Sequence, residues 1–68
     1  MTEIIFIVEE APEGGYTAKA LGHSIFTEAD TWEALQKNVR DAVHCHYENG
    51  KSPQMIRLHL VKDELIAV

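Results

Sequence analysis

One segment constrains everything else in this chain. Thr27 to Gly50, TEADTWEALQKNVRDAVHCHYENG, is the only stretch long and regular enough to form a helix. Trp32, Leu35, Val39, Ala42, Val43, His46 and Tyr47 recur at three- and four-residue steps and form one apolar stripe, while Glu33, Lys37, Arg40, Asp41 and His44 fall on the outer side. Asp30 is expected to cap the start by accepting from the first free backbone N–H groups, with Glu33 reaching back in a capping box. Asn49-Gly50 supplies a left-handed stop, and Pro53 forbids continuation. A single amphipathic helix must bury its stripe on something, and the flanking segments read as strands.

Glu3 to Glu10 carries Ile4, Ile5, Phe6, Ile7 and Val8 without interruption, too short and too β-branched for a helix, and is expected to be a central strand buried on both faces. Ala11-Pro12-Glu13-Gly14-Gly15 is a turn, because Pro12 presets φ and the glycines allow positive φ where the chain reverses. Tyr16–Leu21 alternates as a second strand, Gly22-His23 breaks it, and Ser24–Glu28 makes a short third. Beyond the helix, Met55–Lys62 alternates as a fourth strand with Ile56, Leu58 and Leu60 on one face and Arg57 and His59 on the other. Asp63-Glu64 suggests a bend before Leu65–Val68, which is either a short fifth strand or a tail docked on another surface. The expected fold class is α+β: an antiparallel-rich sheet of four or five strands with one helix on one face, in the order β-β-β-α-β(-β), as a single domain over residues 1–68.

A domain of 68 residues buries only about 60% of the surface its unfolded chain exposes, so it needs support. One cysteine, Cys45, rules out an intrachain disulfide and fits a reducing cytosol, which leaves oligomerisation as the common remedy. The start, Met1-Thr2-Glu3, has no basic leader, and Ile4–Val8 is far below the roughly 20 residues of a membrane span, so a cytoplasmic protein is expected. Eleven acidic against six basic residues give a net charge of −5, which disfavours nucleic acid as a direct ligand and favours basic partners.

The reactive residues point to no active site, metal site or cofactor. His44-Cys45-His46 looks like a metal cluster, yet consecutive helical residues diverge by about 100°, so His44 and His46 cannot share an ion within one helix; only a contact across a subunit interface would bring them into use. His23 and His59 lack an identifiable nucleophile or orienting carboxylate. The pairs Glu9-Glu10 and Asp63-Glu64 point to opposite faces if extended, and Gly14-Gly15 precedes neither a helix nor a phosphate-loop lysine. What remains is surface. One helix covers one face of a sheet, so the other face, with Ile5, Ile7, Arg57, His59 and Val61, together with the terminal Leu65, Ile66 and Val68, is the candidate interface with a partner or a second copy.

The runs Glu13-Gly14-Gly15-Tyr16-Thr17-Ala18, Leu21-Gly22-His23, Thr27-Glu28-Ala29-Asp30-Thr31, Glu33-Ala34-Leu35 and Asp41-Ala42-Val43 resemble the N-terminal domain of HicB-type antitoxins, in particular small stand-alone HicB-like or UPF0150-like domains. The likeness covers nearly the whole chain. The pieces are short and common singly; their order and spacing are what is specific. His23 stands where cysteine is frequent and Ala29 where glycine often precedes the Asp-Thr pair. The resemblance implies three strands, a helix and a returning strand. It also implies a non-enzymatic antitoxin that binds and masks a small basic HicA-type RNA-cleaving toxin. No helix-turn-helix or ribbon-helix-helix segment follows the last strand, so the family's usual means of binding operator DNA is not expected here. The protein is expected to be a homo-oligomer, dimer or tetramer; the alternative role is an orphan homo-oligomeric ligand- or protein-binding module of the same fold without a toxin partner.

Overall fold

The computed structural model describes residues 2–47 and 50–68. Five elements follow one another: β1 (Glu3–Glu10), β2 (Tyr16–Ala20), β3 (Phe26–Ala29), α1 (Trp32–His46) and β4 (Met55–Val61). They form one four-stranded sheet in the order β3-β2-β1-β4, with α1 on one face. β1 is central, as its unbroken apolar run predicts.

The turn from β1 to β2 is closed by Gly14 N–H donating to Ala11 O and Ala11 N–H donating to Gly15 O, each at 3.0 Å. β2 then runs antiparallel to β1 and pairs antiparallel with β3 on its other side. β4 lies parallel to β1, from Glu3 opposite Met55 to Glu9 opposite Val61, so the sheet is mixed but antiparallel-rich, as expected. The reason is the crossover. The helix carries the chain from the far edge across the layer, and a strand entering after such a connection runs alongside β1 in the same direction. Thr2 pins the start of this pairing, its carbonyl accepting from Met55 N–H and its Oγ1 from Gln54 N–H.

Three expectations are corrected. The helix is capped by Thr31 rather than Asp30: Thr31 has extended backbone angles and its Oγ1 accepts from Ala34 N–H at 3.1 Å. With alanine at that third position the reciprocal half of a capping box has no side chain to make it. The helix ends at His46, where Tyr47 turns extended, short of the Asn49-Gly50 stop; Asn49 lies outside the described residues. Leu65–Val68 forms no fifth strand in the chain and is exposed.

The core is Ile4, Phe6, Val8, Ala18, Ala20, Ile25, Leu35, Val39 and Val43, all buried. It joins one face of β1 and β2 to the helix stripe, with Tyr16, Trp32, Ala42, Tyr47, Ile56 and Leu58 packed around it. Tyr16 and Trp32 meet edge to face at 5.4 Å, a favourable aromatic geometry. Asn38 ties the helix to β3 by donating from Nδ2 to Glu28 O at 3.1 Å. His46 follows the stripe in sequence but ends exposed, because the helix stops there and runs past the sheet. Among the described residues no helix is long and apolar enough to cross a membrane.

Candidate interaction surface

The sheet face turned away from α1 is built by alternation. β1 sends Ile4, Phe6 and Val8 to the helix and leaves Glu3, Ile5, Ile7 and Glu9 on the other side. Cross-strand register extends that side in rows: Phe26, Lys19, Ile7 and His59 in one, Glu28, Thr17, Glu9 and Val61 in the next. Leu21, whose N–H donates to Ile5 O, begins a third row that ends at Arg57. Of the candidate residues, Ile5, Ile7, Arg57, His59 and Val61 therefore share one face.

This face corrects the expectation that β1 is buried on both sides. Ile5 and Ile7 are half-buried, whereas Ile4, Phe6 and Val8 are buried. The face is apolar along its middle and charged between, with Phe26 61% and Leu21 54% exposed and Lys19, His59 and Glu9 alongside. Phe26, Leu21 and Met55 belong to it and were not predicted to. They are found only through strand pairing, since each sits at a strand end where single-strand alternation says little about facing.

An ion pair crosses this face diagonally: Arg57 Nε donates to Glu3 Oε1 on the neighbouring strand. The hydrogen bond from Arg57, helped by its positive charge, holds the Glu3 carboxyl below its usual value, and the same contact raises the Arg57 guanidinium. Lys62 and Glu10 approach more loosely, at 3.9 Å, beyond the end of the face.

The other three candidates, Leu65, Ile66 and Val68, are not on the face. They stand off the body of the protein, Leu65 and Val68 fully exposed and Ile66 77% exposed. The molecule's extents, 52 × 21 × 18 Å, record this, since an eight-residue strand spans only about 26 Å and a 15-residue helix about 22 Å. The radius of gyration, 13.4 Å, likewise exceeds the roughly 11 Å of a compact chain of this length.

The histidines divide differently from the sequence pattern. His46 turns towards His23 and Tyr47, with ring centroids 6.1 and 5.0 Å away, and the Tyr47 hydroxyl lies 3.4 Å from the His23 ring nitrogens. His44 and Cys45 are exposed on the helix beside it. Among the described residues no three His, Cys, Asp or Glu side chains are placed to hold a metal ion. A hollow of about 710 Å³ lies at the hairpin end and is walled by Glu13, Glu28 and Asp30 with Tyr16, Thr31 and Asn38. It is an open acidic concavity with no histidine or cysteine among its lining residues.

A one-helix, four-stranded α+β domain with an exposed, apolar-centred sheet face is the class these features define. Two relatives place it further. Over 66 residues the chain is 47% identical to a UPF0150 protein of Thermotoga maritima, covering 97% of this chain and 93% of the relative. Over 52 residues it is 56% identical to a UPF0150 protein of Archaeoglobus fulgidus, covering 76% and 77%. The chain belongs to the UPF0150 family. No protein-family model and no solved structure matches it.

Proposed function

We propose that this UPF0150 chain is a non-enzymatic binding protein of the HicB type, an antitoxin that engages and masks a small basic HicA-type RNA-cleaving toxin. The observation that carries the reading is the open sheet face: half-buried Ile5 and Ile7, flanked by exposed Leu21 and Phe26, are apolar surface of the kind that marks an interface. The acidic hollow walled by Glu13, Glu28 and Asp30 and the net charge of −5 suit a basic partner, since complementary charge speeds encounter. Buried apolar contacts then set residence time. The ordered motifs from Glu13 to Val43 supply the HicB likeness.

Co-expression with a small basic protein encoded beside it tests the reading. A complex that dissociates as salt rises is expected; no co-purifying protein at any ionic strength overturns it. A ribonuclease assay with Mg²⁺ or Mn²⁺ on the purified chain is expected to show no turnover.

The second reading is an orphan homo-oligomeric module, without a toxin, that binds a ligand or protein. The exposed Leu65–Val68 tail favours it, because a second copy brings its own covering wherever the protein is made. Self-association, as a dimer or tetramer, is common to both readings.

A further inference from the structure

The helix does not cover its own side of the sheet evenly. α1 packs against β2 and β3, and β4 takes its contacts from β1. Ile56 and Leu58 are therefore only half-buried, and Leu60, in the same row as Val8, is 42% exposed. Between helix and β4 runs a groove of about 270 Å³ lined by Val39, Ile56 and Leu58, with Gln36 and Arg40 on its rim. β4 is also a sheet edge, so the backbone groups on its outer side have no strand partner. Neither the Arg57–Glu3 nor the Lys62–Glu10 ion pair involves Arg40.

We infer that this groove and edge receive the Leu65–Val68 tail of a second copy, which adds as a fifth strand beside β4 while its Asp63 and Glu64 approach Arg40. The inference deepens the self-association of the preceding reading and rests on it. Four properties of the tail fit the place. Leu65, Ile66, Ala67 and Val68 are apolar without alternation, the pattern of a strand covered on both faces. Either register puts two of them on the helix side of the sheet, beside Ile56 and Leu58, and the other two towards the open face. The two carboxylates that precede them match the lone cation on the groove's rim. The tail already stands clear of its own chain.

Pairing in cis is disfavoured by turn chemistry. Folding the tail back on its own β4 needs a tight loop through Lys62, Asp63 and Glu64, and three-residue hairpin loops place one residue at positive φ, where glycine is favoured. Among the described residues only glycines, at 14, 15, 22 and 50, adopt positive φ. Size points the same way. The open sheet face measures on the order of 19 by 23 Å, well short of the roughly 800 Å² per partner that a stable interface buries. An inserted tail and the groove that holds it bring in the missing area, and a reciprocal exchange does so twice.

Light scattering on the full chain, a chain lacking residues 65–68, and the full-length variants Ile66→Asp and Arg40→Glu tests this. The full chain is expected to be a dimer or larger at micromolar concentration. The shortened chain and Ile66→Asp are expected to fall to single-chain mass with helix content kept, and the Lys62–Val68 peptide is expected to bind the shortened chain saturably. Arg40→Glu should weaken assembly at least several-fold, and adding Glu64→Arg should restore it. An oligomer whose mass survives all three changes overturns the tail assignment and leaves self-association standing. A monomeric full chain overturns both. If the shortened chain fails to fold, the two point variants decide by the same masses.

Discussion

Gly15 shows how much of this fold can turn on one missing carbon. Its φ of +85° is left-handed, and a Cβ there would sit 2.8 Å from Ala29 O, so both the backbone and the neighbouring strand exclude a side chain. Gly14, at +100°, has open space around the same position. Gly15→Ala should therefore cost at least about 2 kcal/mol in urea unfolding, and Gly14→Ala distinctly less, because only the first adds a steric clash to the torsional penalty. Glu3 carries a different kind of local information. Its carboxyl is held low by the hydrogen bond from Arg57, so the folded state binds that proton less readily than the unfolded chain. The stabilisation is complete above the unfolded value of about 4.3 and disappears as pH falls through the lower folded value. Glu3→Gln should flatten the stability curve across that acid window and leave its shape near neutrality unchanged. The pair is at the surface, so the effect will be small.

At the scale of elements, the helix was legible because its stripe is long and periodic, and Leu35, Val39 and Val43 are indeed its buried residues. Its start was misplaced by one residue. Asp30 and Thr31 are both good caps, and choosing between them needs the backbone angles that put Thr31 Oγ1 over Ala34 N–H. Thr31→Ala should cost about 1 kcal/mol of stability by thermal or denaturant unfolding, and Asp30→Ala a small fraction of that. The alternation of β4 was equally plain, but alternation has no direction, so the parallel pairing with β1 could not be read from it. The candidate surface was half legible for the same reason. Ile5, Ile7, Arg57 and His59 declare their side within their own strands, while Phe26 and Leu21 acquire theirs only through register with Lys19 and Ile5. The groove beside Arg40 had no sequence signal, because it depends on where across the sheet the helix comes to rest.

The whole molecule is a small core with unfinished borders: a bare sheet face, a bare edge and a loose apolar end. Among the described residues, nine buried hydrophobics are a slender core, and association would add to it by mass action. The melting temperature should accordingly rise with protein concentration, and differential scanning calorimetry over a hundredfold dilution checks it; a constant value would mean that the single chain holds all of its stability. The pairing of β1 with β4 has another consequence. Partners in it are separated by a constant 52 positions, from Glu3 with Met55 to Glu9 with Val61. The central strand thus waits for its second neighbour until the hairpin, β3 and the helix have all been synthesised. Such a domain closes late, only once β4 has followed the helix out of the ribosome, and for that interval its greasiest strand depends on the hairpin alone for shelter.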